Sequence, residues 1–303
     1  MRIVIALGGN ALLHRGERPD AAVQQANIDR VALAIAGLAQ DHEVVVTHGN
    51  GPQIGLLAME SAADAALSTP YPLDLLGAQT QGMIGSLLAR ALYDALPGRR
   101  VAALVTHTQV RADDPAFGHP EKFIGQVYSA EAARALSRER GWHIARDTTG
   151  WRRVVPSPAP ERIMETGTVQ DLLGLGTLVV CAGGGGVPVV DGERGGLRGV
   201  EAVVDKDLTA ALLAEDLKAD FLLILTDVPH VYADYGGPHQ RPVLEATPAE
   251  LRAGDFPAGS MGPKTEAAAR FVERTGGLAA IGALDAAYEI VHGRAGTLVR
   301  PEP

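Results

Sequence analysis

The sequence predicts an α/β fold whose central sheet is mostly parallel and covered by helices on both faces. Three observations lead there. Short β-branched runs alternate with Ala- and Leu-rich helical stretches along the chain, which is the rhythm of βαβ units. With 36 glycines and an aromatic share of only 4%, the composition suits many tight strand-to-helix turns better than an aromatic-rich β-sandwich. Glycine clusters also follow directly on apolar strand candidates, and in sheets of this kind ligands bind outside the carboxyl ends of the strands.

Taken in order, Arg2–Leu7 is a continuous apolar run stopped by Gly8-Gly9, and it reads as a buried first strand. It is too short for the apolar region of a signal peptide. Helical periodicity spans Ala21–Gln40, Gln79–Leu96, Ser129–Arg140, Lys206–Leu217 and Pro263–Thr275. The remaining strand candidates are Glu43–Thr47, Val101–Thr106, Thr177–Cys181 and Phe221–Leu225. Val110 to Pro160 breaks the rhythm with Asp113-Asp114-Pro115, Gly118-His119-Pro120, a run of alternating prolines at Pro156-Ser157-Pro158-Ala159-Pro160, and both tryptophans, Trp142 and Trp151. Loops this long are uncommon in compact domains unless they have a purpose, so the stretch reads as a small subdomain or lid.

Length and charge narrow the function classes. The 303 residues suffice for one large α/β domain or two closely packed lobes, and 46% hydrophobic against 21% charged residues fits a globule with a substantial core. Lys+Arg 27 against Asp+Glu 36 gives a net charge of −9, a poor start for binding nucleic acid, whose phosphates need a basic surface. One cysteine excludes an intrachain disulfide. No stretch approaches the roughly 20 apolar residues of a membrane helix. A cytoplasmic protein with neither nucleic-acid nor membrane partners is expected.

Three loops could cradle an anion: Leu7-Gly8-Gly9-Asn10, Thr47-His48-Gly49-Asn50-Gly51-Pro52-Gln53, and Cys181-Ala182-Gly183-Gly184-Gly185-Gly186. Without β-carbons, successive N–H groups can converge on a phosphate. Any one of them alone is most simply a tight turn; three at strand ends favour a shared anion site. None matches a dinucleotide fingerprint or a P-loop, since Pro263 separates Gly262 from Lys264. Lys206 and Lys264 both stand at predicted helix starts, where a cation opposes the helix dipole unless an anion is bound. Carboxylates beside Lys206 could fix its direction or hold a metal. His48 and His107 follow strands, but no metal-binding histidine motif is present.

These segments, with Asp205-Lys206-Asp207 and Gly259-Ser260-Met261-Gly262-Pro263-Lys264, resemble in their order the motifs of carbamate kinases, a branch of the amino acid kinase superfamily. The resemblance runs nearly end to end. It implies an open αβα sandwich around a mostly parallel, roughly eight-stranded sheet with a small protruding subdomain. It further implies an N-terminal lobe (residues 1–220, lid about 111–158) for carbamate or carbamoyl phosphate and a nucleotide-binding lobe (residues 221–303), together one amino acid kinase domain. A homodimer is implied, as is reversible phosphoryl transfer with Mg²⁺ carried by ATP or ADP, serving arginine catabolism by the deiminase route.

By the same resemblance Lys206, Asp207 and Lys264 are the catalytic residues, both lysines also touching nucleotide. Gly8, Gly9, Asn10, Gly49, Asn50, Gly51, Lys122 and Arg152 are implied to meet the substrate, and Thr226, Asp227, Tyr232 and Met261 to hold the nucleotide. The chain departs from many relatives at Glu121-Lys122-Phe123, where they carry Thr-Lys-Pro. Two competing readings are a kinase of the same fold acting on another small acid and a non-catalytic nucleotide-binding regulator. The first lacks an evident second arginine-rich carboxylate clamp. The second has no need of Lys206, Asp207 and Lys264.

Overall fold

The computed structural model describes residues 1–14, 16–147, 149–192, 195–257 and 259–302. Eight strands form its main sheet: β1 (Arg2–Leu7), β2 (Glu43–His48), β3 (Val101–Ala103), β4 (Leu178–Val180), β5 (Phe221–Thr226), β6 (Glu245–Ala246), β7 (Leu278–Ala283) and β8 (Thr297–Val299). Their order is β6-β8-β7-β5-β1-β2-β4-β3. All neighbours pair in parallel except β7 and β8, which are antiparallel. The main helices are α1 (Ala21–Ala39), α2 (Gly51–Ala63), α3 (Leu73–Ala95), α4 (Ala130–Arg140), α5 (Thr166–Gly174), α6 (Lys206–Asp216) and α7 (Gly262–Thr275).

The strands read as unbroken apolar runs because both sheet faces are covered. Val4, Ala6, Val45, Leu222 and Ile224 pack with Leu213 of α6 and Phe271 of α7. Ile3, Ile5, Leu7, Val44, Val46 and Leu223 pack on the other face with Ile28 and Ile35 of α1 and Leu88 and Leu92 of α3. Alternate residues of one strand thus enter opposite cores, the αβα sandwich expected from the sequence. The connection from β1 runs to β2 on one side, while that from β5, the neighbour of β1 on the other side, runs away toward β6 and β7. That is a topological switch point, where the loops at the carboxyl ends open a crevice.

Residues 107–163 leave the main sheet. His107–Val110 and Pro160–Ile163 pair in a second, four-stranded sheet with Val187–Asp191 and Leu197–Gly199. Between them Lys122–Tyr128, Gly150–Val155 and Ile144–Asp147 make a three-stranded antiparallel sheet, carrying α4. This is the protruding subdomain. It is seated on α2 by a backbone contact so close that a β-carbon on Gly55 would lie 1.9 Å from Gly125 Cα.

Some boundaries differ from those read in the sequence. The strand expected over Val101–Thr106 ends at Ala103, and the chain crosses to the second sheet at His107. Gln81 of α3 satisfies the break: its Oε1 accepts from Thr106 N (3.0 Å) and its Nε2 donates to Thr106 O (3.1 Å). Helix α3 begins at Leu73 rather than Gln79, with Leu73 N donating to Glu201 Oε2 at 2.7 Å. A cap supplied from 128 residues away leaves no local signature. Helix α2 has no counterpart among the helices expected from the sequence, because its Gly51-Pro52 start lies inside a glycine-rich loop motif.

Candidate active site

Strands β5, β1 and β2 lie side by side with Leu7 in register with both Leu225 and His48. The loops that follow therefore begin at one level. Gly8 N donates to Leu225 O (2.9 Å) and Gly49 N to Leu7 O (3.0 Å). The two glycine loops touch: a β-carbon on Gly49 would lie 2.8 Å from Gly9 N and 3.5 Å from Lys206 Cε. Glycine is required there by contact, and Lys206 packs against Gly49 at the same point. Asn10 Nδ2 donates to Asp227 Oδ2 (2.8 Å), closing the crevice across the switch point, and Thr226 Oγ1 lies 3.1 Å from Asp227 Oδ1.

Lys206 and Lys264 converge on one carboxylate. Lys206 Nζ bonds Asp207 Oδ1, and Lys264 Nζ donates to Asp207 Oδ2 at 3.0 Å. All three are nearly buried, their side chains 11%, 15% and 4% exposed in the order Lys206, Lys264, Asp207. Both lysines come from the first turn of a helix, α6 and α7, so two helix N-termini and two ammonium groups face one place. Burial pulls the Lys206 ammonium below its ordinary value and the Lys264 charge adds to this, against the attraction of Asp207. Burial also works against the charge on Lys264, but Asp207, Asp205 and Asp227 outweigh it and raise that group. Asp207 is held below the usual carboxylate range because Lys206 and Lys264 together overcome its desolvation. The site is an electropositive, water-poor corner in which one acid sets the direction of two cations.

Asp205, next to this cluster, caps α6: its Oδ1 accepts from Asp207 N (2.9 Å) and Leu208 N (3.2 Å). Its Oδ2 accepts from Lys122 Nζ at 2.8 Å, which brings the subdomain lysine to the head of α6. Burial opposes the charge on Asp205, yet Lys122 and Lys206 keep it well below the usual carboxylate range.

The other expected residues take varied positions. Asn50 is buried with Nδ2 donating to Thr80 Oγ1 (2.8 Å), tying the second loop to α3. Gly51 opens α2. Met261 caps α7, its carbonyl accepting from Lys264 N and Thr265 N, both at 3.0 Å. Tyr232 lies in a two-stranded hairpin, edge-on to His230 with ring centres 6.3 Å apart. Arg152 lies on the subdomain face opposite Lys122, since Lys122 pairs with Val155 and successive side chains alternate. It bonds Asp147 (3.2 Å) and sits 5.6 Å over the Phe123 ring, while its buried Nε makes no hydrogen bond among the described residues. Phe123, where the sequence departs from its relatives, lies 3.8 Å from the β-carbon position of Gly259, so the subdomain meets the loop before α7.

The Gly183–Gly186 loop corrects the expectation of a third anion cradle. All four residues are buried. β-carbons there would lie 2.3 Å from His48 Nε2, 2.1 Å from Asn50 Nδ2, 2.5 Å from Val204 O and 2.1 Å from Thr108 Oγ1 in turn. Gly185 N and Gly186 N are spent on Ala182 O and Gly183 O. The loop is a packing wedge behind the site. His107, the other histidine noted after a strand candidate, opens a strand of the second sheet and pairs with Glu165 at 2.8 Å.

His48 was legible only as a histidine after a strand. It is buried between the second glycine loop and the wedge, with Nδ1 3.0 Å from Gly49 O. A carbonyl only accepts, so Nδ1 carries a proton, and the burial that disfavours a charge leaves the ring neutral near pH 7. Burial lowers its pKa to about 4, with Lys206 contributing, against an ordinary 6.5. The unfolded chain binds this proton first as pH falls, so stability is full above pH 6.5 and declines toward pH 4. That loss is expected to reach about 3 kcal/mol. Denaturant unfolding at a series of pH values on wild type and His48→Asn checks it: the variant's curve lacks this component, and equal slopes would rule it out.

Among the described residues no group of three or more His, Cys, Asp or Glu is arranged to hold a metal ion. The carboxylates nearest the lysines are already engaged, Asp207 by Lys206 and Lys264, and Asp205 by Lys122 and two backbone N–H groups.

The amino acid kinase family matches residues 1–281. A carbamate kinase of Rhizobium meliloti is 49% identical over 302 residues, covering 99% of this chain and 93% of that protein. One from Haemophilus influenzae is 48% identical over 300 residues, covering 99% and 96%. Among solved structures, carbamate kinase from Giardia lamblia bound to AMP-PNP superposes with a TM-score of 0.90 at 37% identity, covering 99% of this chain and 98% of that one.

Proposed function

The chain belongs to the amino acid kinase family and is a carbamate kinase, and from that premise we propose how its residues carry out the transfer. The observation that carries the reading is Asp207 joining Lys206 and Lys264 beside two touching glycine loops. The γ-phosphoryl group of ATP passes to a carboxylate oxygen of carbamate; a P–O bond to ADP breaks as one to carbamate forms. Such in-line transfer calls for positioning and charge neutralisation more than for covalent help. Carbamate arrives as an anion, so no general base is needed.

In this reading Lys206 faces the transferring group, with Gly8, Gly9, Asn10, Gly49, Asn50 and Gly51 forming the loops around it. Lys264 faces the β- and γ-phosphates and Asp207 directs both lysines. Thr226, Asp227, Tyr232 and Met261 hold the nucleotide, and Lys122 and Arg152 of the subdomain serve the carbamate side. Residues 1–220 form the carbamate lobe and residues 221–303 the nucleotide lobe. Mg²⁺ enters with the nucleotide as part of that substrate and neutralises phosphate charge when bound. The AMP-PNP complex of the Giardia relative supports a nucleotide site of this kind. We further propose a homodimer in the cytoplasm, making ATP from carbamoyl phosphate during arginine catabolism by the deiminase route. No described helix is long and apolar enough to cross a membrane.

The test is ATP formation from carbamoyl phosphate and MgADP, with acetyl phosphate as a parallel donor. Mg²⁺-dependent synthesis that prefers carbamoyl phosphate supports the reading. Preference for another acyl phosphate points to a different small acid. ADP binding without turnover on either donor points to a regulator.

A further inference from the structure

We propose that Asp205 is a positioning residue for the transfer, one oxygen anchoring the start of α6 while the other holds the subdomain's Lys122 beside Lys206. The inference rests on the reading of Lys122 as a substrate contact. Asp205 is the only point at which the described contacts of Lys122 and of the α6 N-terminus meet: Oδ1 takes the N–H groups of Asp207 and Leu208, and Oδ2 takes Lys122 Nζ. The pair is largely withdrawn from water, with side chains 16% and 26% exposed for Asp205 and Lys122. Any displacement of Asp205 therefore moves Lys122 and the backbone that presents Lys206 together.

The same device recurs four residues earlier. Glu201 Oε2 accepts from Leu73 N at the head of α3 (2.7 Å), and its Oε1 lies 3.3 Å from Arg153 Nη2. Lys122 and Arg153 lie on one face of the three-stranded sheet, because Lys122 pairs with Val155 and Ile124 with Arg153. Between the two acids Val203 N donates to Pro156 O (3.0 Å). Residues 201–205 thus grip one subdomain face at three points, and each acid is at the same time fastened to a helix start of the main body. The Gly55–Gly125 contact seats the subdomain on α2. A lysine on an outlying sheet gains a defined place only through such fastening, since a free side chain loses rotamer freedom when it meets a phosphate.

The test is steady-state kinetics in the ATP-forming direction on Asp205→Asn, Lys122→Gln and the double variant, with thermal unfolding of each. Asparagine keeps an oxygen for the helix cap but not the charge that holds Lys122. The KM for carbamoyl phosphate is expected to rise about tenfold in Asp205→Asn while that for ADP stays within about twofold, with little change in Tm. The double variant is expected to be no worse than Lys122→Gln alone, because Asp205 acts through Lys122. An impaired Lys122→Gln beside an Asp205→Asn of unchanged or lowered KM overturns the positioning role. So do penalties that multiply in the double variant. A Lys122→Gln with native kinetics overturns the substrate-contact reading itself, and the inference with it. If Asp205→Asn does not fold, Asp205→Ser, which also caps helices, carries the same expectations.

Discussion

Lys206→Ala is expected to lower turnover by about 10²-fold or more, the range seen when one preorganised electrostatic donor is removed from a site. Lys206 rests against Gly49 and reaches Asp207 from the first turn of α6. In the proposed mechanism its ammonium faces the charge that spreads over the transferring phosphoryl group, and its side chain is only 11% exposed, which leaves little water to take over the task. Alanine fits α6 without strain, having high helix propensity, and Asp207 keeps Lys264 as a partner. The loss therefore falls on catalysis rather than on folding. Rates of ATP formation at saturating carbamoyl phosphate and MgADP check this, with Tm measured alongside. A folded variant with near-native turnover would falsify the assignment of Lys206.

Asp207→Ala has the opposite balance and is expected to damage both stability and activity. The carboxylate is the shared acceptor of two nearly buried ammonium groups. Removing it leaves two like charges facing each other in a desolvated pocket, and breaking one partner out of a buried ion pair typically costs about 3 to 5 kcal/mol. The loss is expected in denaturant unfolding at pH 7, together with a fall in turnover at least as large as that of Lys206→Ala. Asp207→Asn, which retains an oxygen acceptor, is expected to recover part of the stability and little of the activity. The sign with pH follows from the carboxylate being held below its usual range: the wild-type advantage is full above the ordinary carboxylate pKa and disappears as pH falls through the lowered one. An Asp207→Ala protein as stable as wild type at pH 7 would show that the lysines find other partners.

The two variants separate what Lys206 and Asp207 do, which sequence alone could not. Asp205-Lys206-Asp207 reads locally as a capped helix start with a misplaced cation. The structure adds that the two acids face different lysines, Asp205 toward Lys122 and Asp207 toward Lys264, across 83 and 57 residues of chain. Nothing at Lys122 betrays its partner, because an ion pair carries no periodicity. The Gly183–Gly186 run shows the reverse case. Its composition was as suggestive of an anion cradle as that of Gly8-Gly9, yet it is a wedge against His48 and Asn50. Glycine reports that a backbone must come close to something, and leaves open whether that is a phosphate or a neighbouring side chain.

The succession of strands and helices, the glycines at the ends of β1 and β2, and the helix starts that carry Lys206 and Lys264 in their first turns are all legible in the residues themselves. Each is written in residues adjacent along the chain: continuous apolar runs for doubly covered strands, and caps and prolines at helix ends. That β5, β1 and β2 stand side by side, that Glu201 caps α3, and that three lysines from distant segments surround two aspartates emerges only when the chain folds. Those facts depend on strand register and on packing between layers. Burial and charge are then set by neighbours far away in sequence, and a local pattern holds no record of them.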